Sequence, residues 1–231
     1  MASTSPLACR AVAVATALSS GMSPALSAEV FACPDPLLTV QAGTAPLAER
    51  VCEAAAAKAL LLSCGLSQPD PIRVEVVPVA VHPGFGACVA VFDPGTGCLQ
   101  VTEMERLATL LPATDARGGL PPEADFAPAI AHAMAHALVQ QSAAGIVIVA
   151  TEQEFVASAI ETETLDPALR AILLEADPVA PGGALSLVHL GIYGLAPRAF
   201  ANNAWLLFRR EEMGCALIRA IVAGAFQFPR R

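Results

Sequence analysis

A single mixed α+β domain is what this chain predicts, and three observations carry that prediction. An Ala- and Leu-rich helical stretch over 46–64 precedes three β-branched, turn-punctuated segments between 72 and 101. From about residue 103 onward the chain reads as helix, interrupted mainly by a Pro- and Gly-rich stretch over 177–196. No repeat, low-complexity tract or linker divides the chain, and a hydrophobic content of 55 % suits one sizeable core.

Residues 1–28 stand apart from that domain. Arg10 is their one charge, and a short apolar run, Ala11 to Leu18, follows it. Small residues continue to Ser27 and Ala28, and no acidic residue occurs before Glu29. This is the pattern of a secretory signal peptide, cleaved after Ala28 or after Ser27, with an apolar region too short to span a bilayer. The expected mature domain is 29–231, periplasmic or secreted, with no integral membrane segment after cleavage.

Within the domain, Pro34 and Pro36 keep 29–42 extended, with a strand over 37–40. Pro46 can open the first helix and Gly65 ends it. The run 72–81 carries Val74, Val76, Val77, Val79 and Val81, and Pro78 marks an edge or a bulge. Segments 88–92 and 98–101 flank Asp93-Pro94-Gly95-Thr96-Gly97, a turn sequence that predicts a hairpin. A short helix over 103–111 and a loop over 112–122 lead to a helix over 125–142. Residues 146–150 read either as a strand or as the approach to a helix over 152–163. Asp166-Pro167 starts another helix that ends near Glu175. The loop 177–196 precedes a last helix over 198–226, whose Phe200, Trp205 and Phe208 read as core.

The formal net charge is −8, and loss of Arg10 with the signal makes it −9. With a single lysine, Lys58, and no basic cluster, a nucleic-acid or anionic-membrane partner is not expected. Cys9 lies in the signal. The remaining six, Cys33, Cys52, Cys64, Cys88, Cys98 and Cys215, read as up to three disulfides of an exported chain. Cys52 and Cys64, about 18 Å apart on one helix, cannot pair with each other, whereas Cys88 and Cys98 flank a turn and can. There is no Cys-x-x-Cys, so thioredoxin-like chemistry and c-type haem attachment have no support.

The chemistry-bearing motif is His132-Ala133-Met134-Ala135-His136. Histidines at i and i+4 share a helical face and can reach one metal ion. Burying both in so apolar a helix calls for polar partners, which a metal would supply; a hydrogen bond from each ring to a backbone carbonyl is the competing explanation. Glu154 lies eighteen residues beyond His136, the end of the pentad, on the next helix. Glu152 is a rival two positions earlier, pointing about 160° away and better suited to complementing the helix dipole.

This combination resembles the gluzincin branch of zinc metallopeptidases, in which a His-Glu-x-x-His helix is followed by a helix bearing a glutamate ligand. Glu154-Phe155-Val156-Ala157 looks like that second helix. More loosely, the chain is similar to exported bacterial proteins with a zincin-like core. The resemblance covers about residues 45–210 as architecture and His132, His136 and Glu154 as residues. It implies a small, twisted, mostly antiparallel sheet with an N-terminal helix, a central histidine helix, a glutamate helix and C-terminal helices. It also implies zinc held by His132, His136 and Glu154.

The departure is Ala133, which stands where the family has its general-base glutamate. Loss of general-base transfer costs about 10²–10⁴ in rate, while metal binding needs only the imidazoles, the carboxylate and a water. The expectation is therefore a zinc-binding, non-hydrolysing exported protein whose cleft takes a peptide or protein ligand. The alternatives are a zinc hydrolase with a different base and a metal-free structural domain. Glu123, Asp125, Glu161 and Glu163 read as solvated charges rather than as a substitute base. His189 and Tyr193, in the 177–196 loop, either line the cleft as oxyanion stabilisers or bond the loop to itself. His82 reads as a turn residue.

Overall fold

The computed structural model describes residues 28–84, 86–111, 115–210 and 212–229. The expected signal peptide thus lies, apart from Ala28, outside the described residues. Strand β1 (Glu29–Ala32) pairs antiparallel with β2 (Leu38–Ala42). Next come α1 (Ala45–Ala55) and α2 (Lys58–Ser63), where one continuous helix was expected. Neither Gly nor Pro breaks it. Around Ala56 and Ala57 the amides turn to i−3 carbonyls, and the buried Lys58 is drawn to Asp35 at 2.7 Å and to the Gln68 side chain. Thr44 caps α1, accepting from the Leu47 amide.

The run 72–81 divides at Pro78 into β3 (Ile72–Val77) and β4 (Ala80–His82). β4 forms a two-stranded hairpin with β5 (Gly86–Cys88). β6 (Ala90–Asp93) and β7 (Cys98–Thr102) form the expected antiparallel hairpin, its turn closed by the Asp93 carboxylate accepting from the Gly95 amide and the Thr96 hydroxyl. The main sheet has the order β1-β2-β3-β7-β6. Its centre is parallel, with Val40 beside Val74 and Val74 beside Leu99, so the sheet is mixed rather than mostly antiparallel. All three of these side chains are fully buried on one face of the sheet, while the alternate positions Thr39 and Gln41 of β2 are half-buried.

After a 3₁₀ turn at Met104–Arg106 and the one-turn helix α3 (Leu107–Leu110), the long α4 (Pro122–Ser142) packs on α1, β6 and β7. Its interior Pro128 is tolerated there, and Ala129, Ala131, Ala133, Ala135 and Ala137 let neighbouring elements approach closely. Ala144 and Gly145, both at positive φ, reverse the chain, and 146–149 lead into α5 (Ala150–Thr164) without forming a strand. Asp166 caps α6 (Pro167–Ala176) through two amides. The 177–196 stretch holds a 3₁₀ turn and α7 (Leu190–Leu195). The last expected helix is two, α8 (Pro197–Phe208) and α9 (Gly214–Val222).

Cys33 pairs with Cys52 and Cys64 with Cys215, which ties α1 to the start of the sheet and α2 to α9. Cys88 is a free thiol, so the local Cys88–Cys98 bridge is not made. Phe200 and Phe208 are core, as expected. Trp205 sits at the margin, donating to Glu163 at 2.6 Å and stacking under Arg170. Among the described residues no helix is long and apolar enough to cross a membrane.

Candidate metal centre

Helices α4 and α5 form the heart of the site. Late residues of α4 face early residues of α5: His136 meets Gln153 and Glu154, while His132 meets Glu154 and Glu161. The helices are thus antiparallel, as their short connection dictates. The i, i+4 spacing puts both imidazoles on the face of α4 toward Glu154, and their Nε2 atoms stand 3.2 Å apart. His132 Nε2 is 3.5 Å from one Glu154 oxygen, and His136 Nε2 is 3.6 Å from the other. Donors bonded at about 2.1 Å to a tetrahedral ion stand about 3.4 Å from one another. The three side chains therefore converge at the separation a metal ion demands and can hold one.

The outer atoms reinforce this. The Nδ1–H of His132 donates to Glu161 at 2.8 Å, and His136 Nδ1 faces the Gln153 carbonyl oxygen at 3.4 Å. Each outer bond places a proton on Nδ1 and turns the Nε2 lone pair inward, the usual support of a metal-binding histidine. The oxygen of Glu154 nearest His132 is buried without a hydrogen-bond partner among the described residues. Two inward lone pairs and a carboxylate can share a site only around a cation, either a proton or a metal. In the metal-free arrangement His132 takes that proton. Burial would lower its pKa, but Glu154 and Glu161 together raise it to about 9. Burial and the neighbouring charged His132 push His136 down to about 4.

Glu161 anchors a charged cluster. Burial opposes its ionisation, yet His132, Arg198 and Arg117 hold its carboxyl well below the usual range. Arg198 reaches it at 3.1 Å and Arg117 at 3.2 Å, and Arg117 also forks onto Asp115 at 2.8 Å. Glu161 and Asp125 are thus buried, not solvated as expected. Glu163 is partly covered by Trp205, Arg170 and Arg209. Sequence spacing held the signal for Glu161, which lies two helical turns beyond Glu154 on the same face. Nothing local marks Arg117, Arg198, Gln140 or Gln153, because each arrives through tertiary packing.

A cleft of about 450 Å³ opens onto the three ligands, walled by His82, Ala90, Phe92, Gln140 and Tyr193 among others. The Tyr193 hydroxyl stands beside Glu154, and burial together with that carboxylate raises its pKa. Tyr193 accordingly belongs to the cleft. His189 instead caps α7, accepting from the Ile192 amide. His82 joins the cleft wall from the β4–β5 hairpin, although it also accepts from the Gly84 amide in its turn. Glu152 points elsewhere and accepts from the Phe228 amide at 2.8 Å. Ala133 is 1 % exposed, belongs to the hydrophobic core and does not line the cleft.

Residues 38–231 match the model of a family of unknown function, DUF6639. No curated protein and no solved structure is detectably similar to the chain. With most of its length covered, the chain belongs to the DUF6639 family.

Proposed function

We propose that this is an exported domain with a zincin-like core, binding zinc through His132, His136 and Glu154. On this reading its cleft holds a peptide or protein ligand without hydrolysing it. The supporting observation is the convergence of two inward imidazole nitrogens and a buried carboxylate at metal-binding separation. Imidazole and carboxylate ligands with an open fourth position suit zinc. The Cys33–Cys52 and Cys64–Cys215 disulfides accord with an oxidising compartment.

The absence of hydrolysis follows from the cleft's residues. Bound zinc would polarise a carbonyl and acidify a water, but peptide cleavage also needs a base to move that water's proton. Ala133 cannot do so, and Glu154 is the only carboxylate among the described residues lining the cleft. Tyr193 can donate to a bound carbonyl, which orients a ligand.

Zinc content of the oxidised, exported protein, measured by mass spectrometry, should be one ion per chain and should vanish in His132→Ala. A folded native protein free of metal would sink the zinc assignment. Peptide turnover by the native protein that is lost in His132→Ala would refute the non-hydrolytic reading. One observation favours hydrolysis as the second reading: His82 lines the cleft, and imidazole is a common general base. In that case turnover would disappear in His82→Ala while zinc stays bound.

A further inference from the structure

Glu154 reaches the two histidines only while the first turn of α5 is held against α4, and residues 224–228 grip that turn from behind. Their course is set by a Schellman cap on α9. Gly224 sits at positive φ, its amide donates to the Ile221 carbonyl at 2.9 Å, and the Ala225 amide donates to that of Ala220 at 2.8 Å. From there the chain crosses the start of α5. A Cβ on Gly224 would stand 3.2 Å from the Ile146 side chain, in the α4–α5 connection. The Phe228 amide donates to the Glu152 carboxylate at 2.8 Å, and the Phe228 ring packs on Phe155 with centroids 4.9 Å apart. A hydrogen bond to an ionised acceptor is stronger and more directional than a neutral one.

Glu152 and Phe155 bracket Gln153 and Glu154 in the chain. They lie about 60° apart on the helix, with Gln153 and Glu154 on the opposite side. The first pair is buried and the second lines the cleft. The turn has little other support at its start, since Val149 supplies no side-chain cap and Ile146 and Val147 are exposed. The far end of the strap is firmly anchored. The Cys64–Cys215 disulfide ties α9 to the end of α2, and Arg219 of α9 donates to the Cys64 carbonyl at 3.2 Å.

We infer that residues 224–228 are a positioning element of the metal centre, in which Phe228, acting through Glu152 and Phe155, sets where Gln153 and Glu154 stand. The strap governs the His136 half of the site, which Gln153 supports, and leaves the outer bond of His132 to Glu161, two helical turns further along α5. The inference deepens the proposed function and rests on it for the identity of the ion, but the placement of Gln153 behind His136 does not depend on metal.

The test compares Phe228→Ala, Glu152→Ala, Glu152→Gln and Leu38→Ala in the full-length protein. Zinc affinity is read by chelator competition, and the ring-nitrogen shifts of both histidines are read by NMR in metal-free protein. Phe228→Ala and Glu152→Ala should each lower zinc affinity about 10–100-fold and give His136 mixed tautomers, while the His132 shifts stay in place. Glu152→Gln keeps an acceptor for the Phe228 amide and should retain the parent's behaviour in both. Leu38→Ala truncates a core residue of β2, a strand with no residue in the site, and should lower stability without moving either readout. If Phe228→Ala fails to fold, the two Glu152 variants decide. Parent-like zinc affinity and His136 shifts in Glu152→Ala, or an equal change in Leu38→Ala, would overturn the inference. A parent that binds no zinc would sink the zinc reading alone, and the metal-free tautomers would then decide whether the strap positions Gln153.

Discussion

The two histidines differ less in their inward faces than in what stands behind them. Behind His132 lies a buried ionic cluster, with Glu161 gripped by Arg117 and Arg198. Behind His136 lies a neutral relay. The Gln153 carbonyl oxygen faces the ring and accepts from Gln140, while the Gln153 amide donates to the Ile148 carbonyl. One side fixes its imidazole by charge and the other by a neutral hydrogen-bond chain. The contrast teaches that the same orienting task can be met at very different electrostatic stakes, and that His132 is the half of the pair whose proton a metal must displace.

The largest expected effect comes from removing an inner ligand. His132→Ala or His136→Ala leaves two donors where three converge, and zinc affinity should fall by about 10³-fold or more in a competition assay with a fluorescent chelator. A loss under tenfold in both variants would break the three-ligand assignment and with it the comparison.

Breaking the charged side comes next. Glu161→Gln leaves Arg117, Arg198 and the Nδ1–H of His132 facing a neutral amide. Zinc affinity should fall by about 10–100-fold, and stability by about 3–5 kcal/mol, the cost of orphaning buried charges. Chemical denaturation and zinc competition measure the two separately. A variant as stable as the parent would show that the cluster contributes nothing net to folding.

How much of this was legible in the sequence follows the range of the interactions involved. Asp166-Pro167 opens α6 as read, because capping preferences act locally, whereas the histidine helix begins at Pro122, three residues before the start read at 125. The pentad and Glu154 were legible because helical spacing fixes which side chains share a face. The break at 56–57 was not, since no helix breaker marks it, whereas the start of α9 carries Gly214 at positive φ, a local signal that a single helix over 198–226 passes over. The parallel centre of the sheet escaped because short apolar strands do not encode their partners. Arg198 joins the site from thirty-seven residues beyond Glu161, and only packing tells it from any other arginine.

Acidity sharpens the comparison at intermediate size. His132 has its pKa raised to about 9 from 6.5, so its contribution to metal-free stability is full below pH 6.5 and is lost as pH rises through 9. His136 is lowered to about 4, so the folded state loses stability as pH falls from 6.5 toward 4. Metal-free stability should therefore peak near pH 6.5. Zinc must displace the His132 proton, so its conditional affinity should rise about tenfold per pH unit from 6.5 to 8.5 and level off above about 9. A flat zinc affinity over that window would mean that the charge behind His132 does not govern its proton.

The smallest expected effect lies on the neutral side. Gln153→Ala removes the acceptor behind His136 Nδ1 without stranding a charge. Loss of a neutral hydrogen bond costs about 1 kcal/mol, so zinc affinity should fall by less than about tenfold. The nitrogen chemical shifts of the His136 ring should show mixed tautomers in place of one. Were Gln153→Ala to match Glu161→Gln in zinc affinity, orientation rather than charge would be the shared function of both outer partners, and the ionic cluster would have to be explained by something other than the histidine it touches.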